Sequence, residues 1–251
     1  MRKIGIIPAR YESTRFPGKP LVQIFGKTMI QRVYEKVSKS QLLDEVWVAT
    51  DDSRIANHLT EHKIPFILTD SNISTGTERC LVAARKLGYL SSEDILINIQ
   101  GDEPFISSNQ INLLLQAFNH PNTQIASLRK QIDRLPQVLN PNSVKVVCDE
   151  SDFALYFSRS PIPYVRDTIQ DQWLTVANFY KHIGIYAFKY GVLEDLSSLE
   201  KTELEKLESL EQLSWLSHGY NIRMIITKEE SPSIDTPNDL EMVLNLYKDK
   251  L

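Results

Sequence analysis

Several residue types and patterns are scarce in this chain, and each scarcity excludes a class of protein. Two cysteines among 251 residues, Cys80 and Cys148, are too few for a disulfide framework, so we expect buried free thiols in a reducing compartment. No apolar run approaches the roughly 18 residues of a membrane span. The amino terminus likewise shows no long apolar stretch of a signal peptide. We therefore expect a soluble, cytoplasmic protein without membrane insertion.

Basic charge is also limited. Lysine and arginine number 28 against 32 acidic residues, a net charge of −4, whereas nucleic-acid-binding proteins usually carry a basic excess. We therefore expect no nucleic-acid partner. We find no zinc-type Cys/His cluster, Walker-type lysine loop, G-x-G-x-x-G motif or Ser-His-Asp signature. With 42% hydrophobic and 24% charged residues, the chain has the composition of an ordinary globular protein.

The first half of the chain alternates short apolar runs with amphipathic segments. Alternating strands and helices favour right-handed crossovers and a mostly parallel sheet flanked by helices, so the predicted fold class is α/β. The predicted strands are residues 3–7, 45–50, 65–68 and 94–100. The predicted helices are residues 28–38, 52–62, 77–87 and 107–118.

The pattern changes after about residue 120. Closely spaced strand candidates favour antiparallel pairing, so we expect a smaller mixed or antiparallel subdomain in the second half. Without repeats or an obvious linker, we expect a single domain over 1–251, with parts of about 1–120 and 121–251. The further predicted elements are strands at 125–128, 144–148, 154–157, 183–188 and 222–227, a charged helical region at 202–213 and a final helix at 237–247.

The loop after the first predicted strand is rich in cations. Arg10, Arg15 and Lys19 lie within ten residues, and Gly18 lets the backbone come close to a ligand. Such a cluster by itself also fits a solvated basic loop. Ligands of open α/β sheets bind at the carboxyl ends of strands, so the position of this loop favours an anionic ligand such as a triphosphate.

Two acids are candidates for a metal site. Asp102 ends the fourth predicted strand at the same edge as the basic loop, where Mg²⁺ could bridge a carboxylate and a phosphate. Asp102 could instead cap a turn before Pro104. Asp235 precedes the last helix, and either Asp235 or Thr236 could cap that helix. The local pattern therefore leaves open whether Asp235 binds metal.

Other polar residues are ambiguous from their local sequence. Arg79, in the first turn of a predicted helix, fits either an anionic ligand or a structural salt bridge. Arg159 precedes a double-proline turn and suits capture of a carboxylate. His182 is a lone histidine at a strand entrance, while Glu211 and Gln212 sit in a charged helical stretch where exposed polar residues are ordinary.

Taken together, these segments resemble a known family. The opening Pro-Ala-Arg-Tyr…Arg-Phe-Pro-Gly-Lys-Pro-Leu and the later Gln-Gly-Asp-Glu-Pro resemble the 3-deoxy-manno-octulosonate (Kdo) cytidylyltransferases, and the similarity covers nearly the whole chain. The resemblance implies transfer of CMP from CTP to the 2-hydroxyl of Kdo, an acidic eight-carbon 2-keto sugar, giving CMP-Kdo and pyrophosphate for lipopolysaccharide biosynthesis. It also implies a cytoplasmic, Mg²⁺-dependent homodimer.

The resemblance also assigns roles to residues of this chain. It implies catalysis by Arg15, Lys19, Asp102 and Asp235, with Mg²⁺ bound by the two aspartates. The residues implied to bind CTP are Ala9, Arg10, Ser13, Thr14, Arg15, Lys19, Thr75 and Gly76. The residues implied to bind the sugar are Arg79, Gln100, Arg159, His182, Tyr186, Glu211 and Gln212.

Two positions depart from the family pattern. Ile73 stands where many members have histidine, and Ser214 stands where many have arginine. Fewer cations would suit a substrate that bears an ammonium group, so an alternative substrate is 8-amino-3,8-dideoxy-manno-octulosonate or another 2-keto sugar acid. An alternative from a different class is a nucleotide-binding regulatory module without catalysis.

Overall fold

The computed structural model describes residues 1–73 and 75–248. Its strands, in chain order, are β1 (Lys3–Ala9), β2 (Gln23–Ile24), β3 (Lys27–Thr28), β4 (Glu45–Thr50), β5 (Phe66–Leu68), β6 (Ile95–Asn98), β7 (Ile125–Gln131), β8 (Lys145–Cys148), β9 (Ala154–Ser158), β10 (Tyr180–Lys189) and β11 (Ile222–Ile226). Its α-helices are α1 (Met29–Val37), α2 (Ser53–Glu61), α3 (Gly76–Leu87), α4 (Ser108–Gln116), α5 (Leu135–Leu139), α6 (Trp173–Val176), α7 (Tyr190–Leu196), α8 (Glu203–Glu208), α9 (Gln212–Ser217) and α10 (Pro237–Tyr247).

The chain forms two compact units. The first contains residues 1–112 together with the described residues from Ser231 onward, and the second contains residues 113–230. The last helix, α10, therefore belongs to the same unit as β1, although it was predicted within the part that begins near residue 121. The single-domain description of the chain stays a prediction.

The first unit is built on a parallel sheet. Strand β1 lies between β4 and β6 and is parallel to both, and β5 continues the sheet beyond β4. Successive β1 residues such as Ile4, Ile6 and Ile7 are fully buried, as expected for a central strand covered on both faces. The α/β prediction is confirmed, and the carboxyl ends of β1, β4 and β6 lie at one edge of this sheet.

Side-chain caps fix where the helices of the first unit begin. Thr28, Asp52 and Thr75 each accept a backbone N–H at the start of α1, α2 and α3, respectively. Helix α10 begins with a capping box in which the Thr236 hydroxyl and the Asp239 carboxylate each accept from the other's backbone N–H. Val243 of α10 packs with Ile24, Met29 and Ile234 in a buried cluster.

The second unit contains mixed strand pairing. Strand β10 runs antiparallel to β7, β11 runs parallel to β7, and β8 is antiparallel to β9. This confirms the expected mixed subdomain. The charged region at 202–213 is not one helix: Ser209 adopts a left-handed conformation with φ of 52°, which ends α8 before α9 begins. The short elements β2, β3, α5, α6 and α7 were not predicted.

Both cysteines are free thiols, as expected, but only Cys80 is buried and Cys148 is partly exposed. Within the described residues, no helix is both long and apolar enough to cross a membrane.

Candidate active site

The basic loop begins where β1 ends. Strand β1 extends to Ala9, two residues farther than predicted, and the loop turns back through Gly18, whose N–H donates to the carbonyl of Tyr11. Gly18 has φ of 72°, and a Cβ there would lie 3.1 Å from the Tyr11 ring. Glycine is thus required for both reasons, and the turn directs Lys19 back toward the edge of the sheet.

A cavity of about 210 Å³ lies at this edge in the first unit. Its lining brings together most of the first-unit residues that were predicted to bind ligands, from the loop after β1, the start of α3, the turn after β6 and the segment before α10. Those predicted residues are Ala9, Arg10, Ser13, Arg15, Lys19, Thr75, Gly76, Arg79, Gln100, Asp102 and Asp235. Thr14, predicted to bind CTP, is exposed on the loop and is not among the lining residues.

The two predicted metal ligands face one lysine. Lys19 Nζ lies 2.8 Å from Asp102 Oδ2 and 3.2 Å from Asp235 Oδ1, and Arg15 Nη2 lies 3.3 Å from the same Asp235 oxygen. These side chains are partly buried, apart from the exposed Arg15. One ammonium group between two carboxylates shows that the acids can share a single cation.

Backbone contacts hold the two acids in this arrangement. The N–H of Ile234 donates to the carbonyl of Asp102 at 2.9 Å, which places the following Asp235 beside Asp102. Because Thr236 supplies the helix cap, the Asp235 carboxylate is left to the cavity. Gly101 allows the close approach behind Asp102, since a Cβ there would lie 2.6 Å from the carbonyl oxygen of Pro8.

The start of α3 forms another wall. Thr75 caps the helix through the N–H of Glu78, and Gly76 lies beside the Pro8 ring, which an added Cβ would touch at 3.4 Å. Free N–H groups at the start of a 12-residue helix favour an anion. Ile73, one of the departures from the family pattern, also lines the cavity and is buried. The side chain it presents is apolar where an imidazole is common.

Arg79 was expected either to bind an anionic ligand or to form a structural salt bridge, and the structure contains the salt bridge. Arg79 is 3% exposed, and its guanidinium donates to Asp51 Oδ2 at 2.8 Å and to Thr69 Oγ1 at 2.6 Å. It also donates to the carbonyl of Ile73 at 3.3 Å. Arg79 therefore fixes the loop before α3, and its role in sugar binding stays a prediction.

Arg159 lies in the second unit and is held by backbone groups. Its guanidinium donates to the carbonyls of Glu208, Pro141 and Ser209, and its own N–H donates to Glu208 Oε2 at 2.9 Å. The guanidinium is thus firmly oriented. Its predicted contact with a sugar carboxylate stays a prediction.

His182 and Tyr186 lie together on β10, with ring centroids 5.3 Å apart. Burial, with a smaller effect of the Lys181 charge, lowers the pKa of His182 to about 3, so its imidazole is neutral at pH 7. Its Nε2 lies 3.0 Å from Ser127 Oγ. Burial also raises the pKa of Tyr186, whose hydroxyl is buried without a hydrogen-bond partner among the described residues.

The remaining predicted residues lie at the start of α9. Gln212 is 5% exposed, so the expectation of an ordinary exposed side chain there is wrong, while Glu211 is partly buried. Ser214 is also buried; its hydroxyl donates to Glu205 and accepts from the N–H of Thr202 at 2.9 Å. Ser214 therefore joins α8 to α9 and does not leave an open space where an arginine would stand.

The class of protein follows from a family comparison. Residues 4–225 match the family model described as cytidylyltransferase, a span that includes every lining residue except Asp235. The architecture and the cavity at the carboxyl edge of the parallel sheet agree with a nucleotide-binding α/β enzyme.

Individual relatives narrow this class. A 3-deoxy-manno-octulosonate cytidylyltransferase of Parabacteroides distasonis is 49% identical over 97% of each chain, and one of Bacteroides thetaiotaomicron is 46% identical over the full length of both. A solved CMP:2-keto-3-deoxy-manno-octonic acid synthetase complexed with CTP is 39% identical, with a TM-score of 0.91 over all of both chains. The chain belongs to the 3-deoxy-manno-octulosonate cytidylyltransferase family.

Proposed function

We propose that this protein transfers CMP from CTP to the 2-hydroxyl of Kdo, releasing pyrophosphate. The observation that carries the proposal is the shared contact of Asp102 and Asp235 with Lys19, in the lining of a cavity that also contains Arg10 and Arg15. This combination suits a polyphosphate and a divalent cation together. Family membership adds the identities of the nucleotide and the sugar, because the relatives are named for that reaction.

The residues present fit Mg²⁺. Magnesium is bound in proteins by one or two carboxylates, with water and substrate phosphates completing its coordination, and Asp102 and Asp235 supply two carboxylates around one cationic position. Bound there, Mg²⁺ would polarise the α-phosphate and lower the pKa of the attacking sugar hydroxyl.

The cations of the loop have separate tasks. Arg10 and Arg15 would bind the triphosphate together with the free N–H groups at the start of α3. Lys19, released from the two carboxylates, would neutralise the negative charge that grows on the departing pyrophosphate. Lys19 would thus exchange its contacts with the two acids for contacts with the phosphates.

The reaction is a displacement at phosphorus. The 2-hydroxyl oxygen of the sugar forms a bond to the α-phosphorus, the bond from that phosphorus to the bridging oxygen of the β-phosphate breaks, and the hydroxyl proton passes to solvent. This scheme needs no dedicated protein base. Asp102 and Asp235 would hold the divalent ion that lowers the pKa of the hydroxyl.

The sugar-binding assignments belong to this proposal as well. Arg159 would bind the sugar carboxylate, and the buried Tyr186 hydroxyl, which has no partner among the described side chains, would donate to a sugar oxygen. The other residues that the family resemblance assigns to sugar binding are Arg79 and Gln100 of the first unit and His182, Glu211 and Gln212 of the second. We also propose a cytoplasmic homodimer that serves lipopolysaccharide biosynthesis, as the family resemblance implies.

The decisive experiment measures pyrophosphate release from CTP and Mg²⁺ with Kdo and, separately, with its 8-amino analogue. We expect turnover with Kdo and loss of at least about 10²-fold in an Asp102→Ala variant that keeps the wild-type circular dichroism spectrum. Turnover with the 8-amino analogue alone would overturn the choice of Kdo as the sugar. It would indicate that the apolar Ile73 side chain, which lines the cavity, contributes to sugar specificity. CTP binding without turnover on either sugar would favour a regulatory module.

A further inference from the structure

The last turn of α2 and the residue after it carry a group of side chains that the proposed reaction does not use. His58, Glu61 and His62 lie three and four residues apart, and one potential ligand atom from each lies within 4.8 Å of the other two. Across residues 1–73 and 75–248, this is the one such group of three. The expected absence of a zinc-type Cys/His cluster does not cover this group, because its third member is a carboxylate.

Spacing on the helix explains the proximity. Residues three and four apart lie on one face of an α-helix, which brings Glu61 at the end of α2 and His62 immediately after it close to His58. The two imidazole centroids are 4.2 Å apart with their planes tilted by 39°. His58 is partly buried, while Glu61 and His62 are exposed, so an ion could reach the group from solvent.

Hydrogen bonds orient both imidazoles for metal binding. His62 Nδ1 lies 2.9 Å from the carbonyl oxygen of His58, which can only accept, so Nδ1 carries the proton and Nε2 keeps its lone pair. His58 Nε2 lies 2.8 Å from the hydroxyl oxygen of Thr28. We assign the donor role there to Nε2, which leaves Nδ1 of His58 unprotonated. Oxygen partners on the second ring nitrogen are typical of metal-binding histidines.

The local charges also favour a cation. The carbonyl end of α2 carries partial negative charge, and Glu61 adds a full one, against the single positive charge of the adjacent Lys63.

We propose that His58, Glu61 and His62 form a second metal site, which binds a divalent transition-metal ion such as Zn²⁺ through two imidazole nitrogens and one carboxylate. Three protein ligands leave a fourth, tetrahedral position open to water or an external ligand. The site differs in chemistry from the Asp102 and Asp235 pair, whose oxygen donors suit Mg²⁺. It does not depend on the proposed reaction.

The test is a Zn²⁺ titration of the full chain in competition with a chromophoric chelator. All variants carry Asp102→Ala, which weakens metal binding by Asp102 and Asp235. We expect His62→Ala to weaken Zn²⁺ binding by about 10- to 100-fold or more, since loss of outer partners alone has that effect. His120→Ala is the matched control, because His120 lies outside the group, and it should leave the affinity unchanged.

A spectroscopic readout separates this site from oxygen-only binding. With one equivalent of Cu²⁺, the electron paramagnetic resonance spectrum should show nitrogen hyperfine structure that His62→Ala reduces and His120→Ala retains. Thr28→Ser should keep wild-type affinity, because it preserves the hydroxyl that orients His58. Equal Zn²⁺ affinity of the Asp102→Ala chain with and without His62→Ala, or a Cu²⁺ spectrum without nitrogen coupling, would overturn the proposal.

Discussion

Replacing Lys19 by methionine should change metal binding and catalysis in opposite directions. The Lys19 ammonium contacts both acidic side chains, so an incoming Mg²⁺ ion has to displace it. A hydrogen bond to a charged group stabilises by roughly 1.5–3 kcal/mol. Since the Asp235 carboxylate is 37% exposed, we count only the shorter bond to Asp102.

About 1.4 kcal/mol corresponds to a factor of ten in affinity. At the lower end of this range, which suits partly exposed side chains, Lys19→Met should bind a divalent ion about tenfold more tightly when no nucleotide is added. Turnover should fall by about 10²- to 10³-fold, as on removal of other groups that stabilise developing charge. Free Mn²⁺ measured by electron paramagnetic resonance gives the first quantity, and pyrophosphate release gives the second.

The matched control for this variant is Lys27→Met. Lys27 forms an exposed ion pair with Glu35 and is not a lining residue of the cavity, so its loss should leave both measurements unchanged. If Lys19→Met is folded and yet binds Mn²⁺ no more tightly than the wild type, then Lys19 does not compete with metal for the two acids, and the reasoning fails.

Three further changes test the supporting structure. Gly101→Ala should destabilise the fold by about 1–3 kcal/mol in urea unfolding, because its Cβ would meet the carbonyl oxygen of Pro8 at 2.6 Å. Gly184→Ala is the control and should lower the free energy of unfolding less, because its Cβ would lie in open space. Thr236→Ala should cost about 1 kcal/mol by loss of the α10 cap, and Thr236→Ser should restore most of it. The depressed pKa of His182 makes the unfolded state bind the extra proton, so stability should fall as pH drops from about 6.5 toward 3, by about 2 kcal/mol at pH 5. A His182→Gln chain should show a flatter decline in urea midpoint over this range, and an unchanged slope would contradict the assignment.

Much of the first unit is predictable because its patterns are local. The strand at 45–50 and the helix at 237–247 match β4 and α10 to the residue. Apolar periodicity and the threonine-proline start supply clear boundaries there. The two-residue strands β2 and β3 and the short helices α5 and α6 contain too few residues for periodicity to emerge. Ser209 breaks a continuous helical pattern through a backbone conformation that serine rarely adopts.

Some residues of the candidate site are likewise predictable from local sequence, and others are not. Arg10, Arg15 and Lys19 follow one strand in sequence, so their grouping is predictable from β1 alone. The role of Asp235 could not be predicted in this way. An aspartate just before a helix fits a helix cap as well as a metal ligand. Only the observed cap by Thr236 and the contact with Lys19 distinguish the two. The ion pair of Arg79 with Asp51 could not be predicted from local sequence either. Asp51 directly follows β4, whereas Arg79 lies 28 residues later in α3.

The first unit is discontinuous, and this affects how the protein is made. Its cation-bearing loop lies within the first 20 residues, whereas Asp235 follows the whole of the second unit. At synthesis rates of about 5–20 residues per second, Lys19 exists for about ten seconds or more before its second acidic partner is translated. The contact between Lys19 and Asp235 can therefore form only after the whole second unit has been synthesised.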